Sequence, residues 1–362
     1  MKKKFLKDLK EYIPGKSVEE VAEELGLDPE KIIKLASNEN PLGPSPKARE
    51  AVEKNLGDLA IFPDPLSIRE LKNTISDNLK VPEKNIVLSS GSDGVFDILS
   101  KILIDKEQET IIPLPTFSMY EFVTRVAGGN PVFVKRGKDF SIPVEEIISK
   151  ENQNTKLVFV CSPNNPTGNL AGKEDIERIL KEVNSYVLVD EAYIEYADSG
   201  SSCIDLFGKY NNLIITRTFS KVYGLANLRL GFGILPDELV PDFNKANLPF
   251  FTSSLAVKAG KAAMEDQEYT DKVVKTNKEE RKYVEGNIGF KVFPSQSNFV
   301  LTDVSPFKAE EVVSKMKKKG IILRDCSSFG EGMERFVRIS IGTREQNQKF
   351  IEGMNSIGQK GD

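Results

Sequence analysis

The 362-residue chain contains no histidine. This absence excludes Ser-His and Cys-His nucleophile pairs, histidine general bases and histidine-ligated zinc. Proton transfer near neutral pH therefore has to use another group whose pKa is shifted. A lysine that is released as a free amine beside other cations can supply such a group.

Cysteine, excess charge and long apolar runs are also scarce. The three cysteines, Cys161, Cys203 and Cys326, are scattered and show no CxxC spacing, which predicts reduced thiols rather than a disulfide framework. The net charge of −4 gives no broad basic face for nucleic acid. No apolar run approaches the length of a membrane span, and no apolar segment of a signal peptide follows the basic N-terminus. We therefore expect a cytoplasmic protein that binds neither nucleic acid nor membranes.

Short apolar segments alternate with helical patterns from about residue 86 to about residue 233. The apolar segments are 86–89, 110–113, 131–135, 157–161, 186–189, 213–216 and 229–234. The intervening helical patterns include 93–104, 119–127 and 173–183. This alternation predicts an α/β fold with a mostly parallel sheet between helices. Ligands bind to such sheets beyond the carboxyl ends of the strands.

After about residue 250 the order changes to that of an α+β unit. Helices are predicted near 253–265, 267–287, 308–319 and 344–357, and strands at 290–294, 298–303, 321–325 and 335–341. We predict a large domain over residues 35–265 and a smaller α+β domain built from 1–34 and 266–362. A capping box at Ser17-Val18-Glu19-Glu20 predicts a short helix that ends at Gly26.

Lys221 lies in a turn just after an apolar segment, in Arg217-Thr218-Phe219-Ser220-Lys221. Asp190 follows the preceding apolar segment, and Arg229 comes shortly after the lysine. A lysine can condense with an aldehyde, a carboxylate can keep a pyridine nitrogen protonated, and an arginine can pair with a phosphate. Together the three residues predict a site for pyridoxal phosphate (PLP). Seen alone, Asp190 is also compatible with a helix cap or a solvated strand-end acid.

Two further residues fit the same site. Asn165 lies in the turn Ser162-Pro163-Asn164-Asn165-Pro166-Thr167-Gly168 after an apolar segment, and Tyr193 lies three residues beyond Asp190. Alone, the first is an ordinary turn residue and the second a packed aromatic. In combination with the spacing to Asp190, they predict contacts to the phenolate oxygen of the cofactor ring.

The segment Ser89-Ser90-Gly91-Ser92-Asp93-Gly94 joins a predicted strand to a predicted helix. A glycine-rich turn that opens a helix can cradle a phosphate, although a simple capped turn has the same pattern. The carboxylate of Asp93 would repel phosphate, so we assign this residue mainly a backbone N–H contact. Ser220 and Arg229 complete the predicted cradle. Phe117 either stacks on the cofactor ring or is a core aromatic.

Two arginines occur in apolar strand patterns near the C-terminus. Arg338 lies among Phe336-Val337-Arg338-Ile339-Ser340-Ile341, where a charge needs an anionic partner. A substrate carboxylate held by a two-pronged guanidinium contact would serve, and an internal salt bridge is the alternative. Arg324 is similar, but the adjacent Asp325 favours internal pairing.

Together, these motifs resemble those of the fold-type-I PLP-dependent aminotransferases and, more narrowly, of the histidinol-phosphate aminotransferases. The resemblance extends over nearly the whole chain. It is carried by Tyr12-Ile13-Pro14-Gly15-Lys16, Leu35-Ala36-Ser37-Asn38-Glu39-Asn40-Pro41-Leu42-Gly43, Phe62-Pro63-Asp64-Pro65, Asn164-Asn165-Pro166-Thr167-Gly168, Asp190-Glu191-Ala192-Tyr193, Thr218-Phe219-Ser220-Lys221 and Arg338-Ile339-Ser340-Ile341-Gly342-Thr343-Arg344-Glu345.

The resemblance implies a homodimeric enzyme that transfers an amino group between glutamate and imidazole-acetol phosphate, giving histidinol phosphate and 2-oxoglutarate in histidine biosynthesis. It implies that Lys221 condenses with the cofactor and moves a proton. The implied cofactor-binding residues are Ser92, Asp93, Phe117, Asn165, Asp190, Tyr193, Ser220, Lys221, Arg229 and Phe62, the last reaching the site of the other subunit. The implied substrate-binding residues are Arg338, Arg324 and Asn40.

The sequence departs from this family at several positions. Phe62 and Phe117 occupy positions where the family often has tyrosine, and Phe62 cannot donate a hydrogen bond to a phosphate. Asn247 and Phe251 occupy positions where the family often has arginine and asparagine. These departures leave the substrate specificity open.

Other functions remain as alternatives. An aromatic amino-acid aminotransferase would use the same chemistry, and Arg324-Asp325-Cys326-Ser327 weakly suggests a threonine-phosphate decarboxylase. A PLP-binding transcription regulator would need an added DNA-binding domain, for which the roughly thirty-four residues before the loop at 37–40 are too few. A dinucleotide-binding function is not expected, because Gly231-Phe232-Gly233 is a lone GxG with no helix opening after it.

Overall fold

The computed structural model of the protein describes residues 16–358. In chain order, its helices are α1 (Val18–Leu25), α2 (Pro46–Lys54), α3 (Pro65–Leu79), α4 (Gly91–Leu103), α5 (Met119–Ala127), α6 (Val144–Lys150), α7 (Lys173–Glu182), α8 (Leu239–Ala246), α9 (Ser254–Met264), α10 (Gln267–Asn287), α11 (Ala309–Lys317) and α12 (Arg344–Gly358). The strands are β1 (Ile33–Lys34), β2 (Ile86–Ser89), β3 (Glu109–Leu114), β4 (Asn130–Lys135), β5 (Thr155–Cys161), β6 (Tyr186–Asp190), β7 (Leu213–Thr218), β8 (Gly231–Ile234), β9 (Lys291–Val292), β10 (Phe299–Asp303), β11 (Ile321–Ile322), β12 (Arg324–Asp325) and β13 (Phe336–Ser340).

The first helix begins and ends at the predicted residues. The Ser17 hydroxyl accepts from the Glu20 amide, and the Glu20 carboxylate accepts from the Ser17 amide, which completes the capping box. Gly26 ends the helix at φ 63°, in the left-handed region that glycine tolerates best. Local chemistry thus fixes both ends of α1.

A seven-stranded sheet in the order β2-β8-β7-β6-β5-β3-β4 forms the centre of the fold. All neighbouring strands run parallel except β8, which is antiparallel to both β2 and β7. The predicted α/β class with a mostly parallel sheet is therefore confirmed. The reversed direction of β8 places Gly231, at its start, opposite Ser89 and Thr218 at the ends of β2 and β7.

The two faces of this sheet are buried against different helices. In β5, Val158 and Val160 belong to the core that includes Ile176 of α7, whereas Phe159 belongs to the core that includes Phe96 of α4. Since successive side chains of a strand point to opposite faces, an almost continuous apolar strand can serve both cores.

A second unit is formed by an antiparallel sheet in the order β12-β13-β10-β9 and by the parallel pair of β1 with β11. Its core includes Val300, Ile339, Phe350 and Met354, and Ile33 joins it from the start of the chain. The division of the chain into a large domain over 35–265 and a smaller domain from 1–34 and 266–362 stays a prediction, and residues 1–15 lie outside the described residues.

The single strand predicted at 321–325 is wrong. The chain forms two short strands there, because β11 pairs with β1 whereas β12 pairs with β13 of the other sheet. Leu323, the residue between them, is buried in the second core. Because the chain changes its partner strand at Leu323, the following residue, Arg324, pairs with Arg338 of β13.

Candidate active site

The ends of three parallel strands bring the predicted residues to one edge of the central sheet. Cys161 at the end of β5 is in register with Asp190 at the end of β6, and Asp190 is in register with Thr216 of β7. Asn165 and Lys221 lie in the turns that follow β5 and β7. The Asn165 amide, the Asp190 carboxylate and the Lys221 amine therefore lie at the ends of neighbouring strands.

Most of the predicted site residues line a single cleft of about 1060 Å³ at this edge. They are Ser92, Asp93, Phe117, Asn165, Asp190, Tyr193, Ser220, Lys221, Arg229, Arg324 and Arg338. The cleft includes residues of both units of the fold. A molecule bound in it would therefore contact the central sheet and the smaller sheet together.

The Lys221 amine is partly buried in this cleft. Its Nζ donates to the carbonyl oxygen of Ser37 at 3.3 Å and lies 5.6 Å from the centre of the Tyr193 ring. Burial lowers the pKa of Lys221 to about 8, and the positive charge of Arg338 adds to this effect. A substantial fraction of the amine is therefore neutral near physiological pH, as a nucleophile or a base requires.

The Asp190 carboxyl group is 3% exposed and has a hydroxyl donor at each oxygen. The Tyr120 hydroxyl donates to Oδ2 at 2.6 Å, and the Thr216 hydroxyl donates to Oδ1 at 3.2 Å. Burial raises the pKa of Asp190 to about 6, while these two hydrogen bonds oppose the increase. The group is thus mostly ionised at neutral pH, which suits a partner for a cationic ring.

Tyr193 and Asn165 are both held by neighbouring polar groups. The Tyr193 hydroxyl accepts from Nδ2 of Asn38 at 3.1 Å, and the Asn165 Oδ1 accepts from Nη1 of Arg338 at 2.6 Å. Burial raises the pKa of Tyr193, so its hydroxyl stays protonated and can donate. Both side chains are therefore fixed on the cleft wall as hydrogen-bonding groups.

The start of β8 lies very close to the backbone of the turn between β2 and α4. Gly231 is so close to this turn that a Cβ built on it would lie 2.4 Å from the Gly91 carbonyl carbon and 2.5 Å from the Ser92 nitrogen. Gly91 itself has φ 74°. The first amides of α4 have no partner within the helix and carry its positive end, so this turn can hold an anion.

Arg229 lies beside this turn. Its backbone is left-handed at φ 49°, and its Nη2 donates to Oδ2 of Asp93 at 3.2 Å. Ser220 is buried nearby, and its hydroxyl accepts from the Thr218 hydroxyl at 3.0 Å. The side chain of Asp93 thus pairs with Arg229, while its backbone amide lies in the first turn of α4, where amides have no partner within the helix.

Arg324 and Arg338 are register partners on β12 and β13. Arg338 is 6% exposed; besides Asn165, it donates from Nη2 to the Ala36 carbonyl oxygen. The neighbouring acid, Asp325, accepts from the Ser327 amide at 2.7 Å. Two guanidinium groups therefore meet at one wall of the cleft.

Two predicted residues lie outside the lining of this cleft. Phe62 is 71% exposed and stacks on Phe250, with 4.4 Å between the ring centres. Asn40 is buried: its Nδ2 donates to the Val222 carbonyl at 3.0 Å, and its Oδ1 accepts from the Leu42 amide at 3.0 Å. The structure does not bring Asn40 into the cleft, because its amide is used to hold its own loop against the segment after Lys221.

Sequence reasoning missed several residues that hold the site. Tyr120 and Thr216 contact Asp190, and Asn38 contacts Tyr193. In the sequence, Asn38 lies in a polar loop, which is only a weak signal; the structure gives it a left-handed backbone at φ 55°. Tyr120 lies in an amphipathic helix and has no local signal at all.

The described residues provide no metal site of the usual kind. Between residues 16 and 358 no group of three or more Asp, Glu or Cys side chains is arranged to hold a metal ion. In the same part of the chain no helix has the length and apolar character needed to span a membrane.

Comparison with known proteins identifies the class of protein. The family model for aminotransferase class I and II matches residues 30–354. The chain therefore belongs to this family. A histidinol-phosphate aminotransferase from Methanosarcina mazei is 47% identical over 350 residues, which cover 96% of this chain and 94% of the relative. Within the family, the chain is thus a member of the histidinol-phosphate aminotransferases.

Solved structures agree with the fold. The histidinol-phosphate aminotransferase from Clostridium acetobutylicum is 27% identical with a TM-score of 0.85, over 91% of this chain and 100% of that one. The enzyme of the same name from Sinorhizobium meliloti, solved in complex with pyridoxal-5'-phosphate, has a TM-score of 0.88 at 24% identity, over 98% of this chain and 97% of that one.

Proposed function

We propose that the protein is a PLP-dependent aminotransferase that transfers an amino group between glutamate and imidazole-acetol phosphate, giving histidinol phosphate and 2-oxoglutarate in histidine biosynthesis. The observation that carries the proposal is the convergence of Lys221, Asp190 and the pair Arg324 and Arg338 on one cleft. The names of the relatives support the choice of substrate.

The residues present fit the cofactor. Glycine at position 231 lets β8 pack directly against the turn before α4, whose first amides can hold an anion, and Arg229 adds a cation beside that turn. Asp190 would hold the proton on the ring nitrogen, while Asn165 and Tyr193 would hold the ring oxygen. When bound, PLP supplies a cationic ring that stabilises negative charge at the substrate carbon next to the nitrogen.

The proton transfer is assigned to Lys221. With a pKa near 8, its amine can accept the proton from the amino-bearing carbon of the donor substrate, and the resulting ammonium can later donate a proton to the corresponding carbon of the keto acceptor. Arg338 and Arg324 would bind the anionic end of the substrate, a carboxylate in glutamate and a phosphate in histidinol phosphate. Phe117 lines the same cleft and would cover one face of the ring.

The proposal also includes a homodimer. An exposed apolar surface lies beside the cleft; its residues are Leu59, Ile61, Phe62, Leu248 and Phe250, each more than half exposed. Patches of this kind on soluble proteins commonly mark interfaces. Arg229 lines both the main cleft and the smaller pocket formed by Phe62 and Phe250. A second copy docked there would bring its own Phe62 near the first copy's cofactor site.

A cytoplasmic location belongs to the same proposal. Cys161, Cys203 and Cys326 are free and buried, which suits a reducing compartment.

The function is tested by supplying the PLP-loaded protein with 2-oxoglutarate and one of three substrates: histidinol phosphate, phenylalanine or threonine phosphate. We expect glutamate to form with histidinol phosphate and not with Lys221→Ala protein. Glutamate formation with phenylalanine alone would indicate an aromatic aminotransferase instead. Release of CO₂ from threonine phosphate without any need for 2-oxoglutarate would indicate a decarboxylase.

A further inference from the structure

The carboxylate of Asp190 is held from behind by a residue outside the cleft. Tyr120 of α5 is fully buried and donates to Oδ2 of Asp190 at 2.6 Å. Asp190 lines the cleft, whereas Tyr120 does not. The phenol hydroxyl therefore acts on a molecule bound in the cleft through the carboxylate and not by direct contact.

The position of the Tyr120 ring is closely determined. It stacks on Phe159 with 4.6 Å between the ring centres and an angle of 14° between the planes. Phe96 and Phe117 meet it edge to face at 5.3 and 5.8 Å. A ring packed on three sides has little freedom to move, so its hydroxyl is aimed at Asp190 before any ligand binds.

On this geometry, and resting on the PLP-dependent function proposed above, we infer that Tyr120 is a positioning residue that orients the Asp190 carboxylate and keeps it ionised toward the cofactor ring nitrogen. Thr216 has the same role at the other carboxylate oxygen, with a longer bond of 3.2 Å. A carboxylate oxygen can accept more than one hydrogen bond, so both donors leave room for the ring nitrogen.

The electrostatic setting explains why such a donor is needed. Burial raises the pKa of Asp190 to about 6, and the hydrogen bond from Tyr120 is the main influence that lowers it. Among the residues that the structure describes, other titratable groups that act electrostatically on Asp190 include Cys161, Tyr193 and Asp93. Burial raises the pKa of Cys161 to about 12 and also raises that of Tyr193, so neither titrates near neutrality. Without the phenol, the Asp190 pKa would move toward neutral pH.

The test measures PLP affinity against pH, by equilibrium titration of the cofactor absorbance, for wild-type protein and Tyr120→Phe. This substitution keeps the packed ring and removes the hydroxyl. For Tyr120→Phe we expect roughly tenfold weaker PLP binding at pH 7. The pH below which PLP affinity falls, the acid limb of the curve, should rise by about one unit. Tyr210→Phe is the matched control, because the Tyr210 hydroxyl donates to Glu177 at the same 2.6 Å. The control should leave the curve unchanged.

A double-mutant cycle separates positioning from a general loss of structure. In an Asp190→Asn background, Tyr120→Phe should weaken PLP binding by less than about twofold, since the group it acts through is gone. An equal loss in both backgrounds would overturn the inference, and so would an unshifted acid limb in Tyr120→Phe. If Tyr120→Phe does not fold, Thr216→Val is tested instead. It should move the acid limb of the PLP affinity curve upward by a smaller amount, and an unshifted limb would overturn the inference. Failure of wild-type protein to bind PLP would instead refute the proposed function.

Discussion

Arg324 and Arg338 face each other as register partners on the antiparallel strands β12 and β13. Like charges directly opposite one another destabilise a strand pair, so this arrangement favours an anion between or beside the two groups. Arg338 is nearly buried and also contacts Asn165 on the cofactor wall, while Arg324 is only half-buried and donates to the Ser328 hydroxyl at 3.4 Å. The two arginines are therefore not equivalent.

Replacing each arginine with glutamine should distinguish their roles. Arg338→Gln should raise the KM for both glutamate and histidinol phosphate about 10–100-fold, because a hydrogen bond between charged groups contributes about 1.5–3 kcal/mol. Arg324→Gln should raise the KM for histidinol phosphate more than that for glutamate, because a phosphate carries more charge and more acceptor oxygens than a carboxylate and gains more from a second guanidinium group. Steady-state kinetics with each substrate checks this. Arg178→Gln, on the surface, serves as the control; equal effects of Arg324→Gln on both substrates would contradict the assignment.

Lys221→Met should stabilise the cofactor-free protein at neutral pH. The folded-state pKa of about 8 lies below the ordinary value of 10.5, so folding disfavours the charged amine. The penalty is fully present below pH 8 and disappears as the pH rises from 8 to 10.5. The gain at pH 7 should be about 1–2 kcal/mol, because the amine is only partly buried.

Urea unfolding of the cofactor-free protein at pH 7 and pH 10 measures this effect. Lys258→Met is the control, since the Lys258 amine has the Asp58 carboxylate as a partner at 3.1 Å and should not be stabilised by removal. A gain for Lys221→Met that is as large at pH 10 as at pH 7 would exclude the electrostatic explanation.

Gly231→Ala should damage the phosphate cradle. The added methyl group would collide with backbone atoms of Gly91 and Ser92, which cannot yield as a flexible side chain would. We expect PLP binding to weaken at least about tenfold and stability to fall by about 1–3 kcal/mol. Calorimetric titration with PLP and thermal denaturation measure the two effects.

Gly286→Ala is the control for this substitution. Gly286 lies in α10, and nothing lies within 4 Å of a Cβ built on it. Alanine should be neutral or stabilising there, because it favours the helix. Equal effects at both positions would mean that the close backbone approach at Gly231 has no special role.

Phe250→Asp should separate the proposed dimer into monomers. Phe250 stacks on Phe62 in the exposed apolar surface, and a carboxylate there would have to be buried on association. Light scattering should give the mass of one chain for this variant and of two for the wild type. Leu27→Asp, an exposed apolar position on a different part of the protein, should leave the mass unchanged. A monomeric wild-type protein would refute the dimer.

The sequence was sufficient where local pattern decides structure. The bounds of β2, α5 and α10 agree with the predicted 86–89, 119–127 and 267–287. Apolar periodicity cannot reveal strand direction, so the reversal of β8 was not predictable. Nor could it show that the chain changes sheets at Leu323, since both halves of 321–325 have the pattern of a strand.

The same limit applies to the candidate site. Lys221, Asp190 and Asn165 could be found because each follows an apolar segment in a recognisable turn. Their supporting contacts join distant parts of the chain: Tyr120 is 70 positions from Asp190, and Asn38 is 155 positions from Tyr193. Only the folded chain brings such pairs together, so no local pattern could indicate them.

Asn38 connects the two units of the fold. Its side chain binds Tyr193 beside the central sheet and also Oγ of Ser340 in β13, and its carbonyl accepts from Asn298 in front of β10. Any rotation of one unit against the other must stretch or break one of these bonds. Asn38 thus links Tyr193 on the cofactor wall to the smaller sheet. The hydrogen bond between Asn38 and the Tyr193 hydroxyl therefore depends on the relative position of the two units.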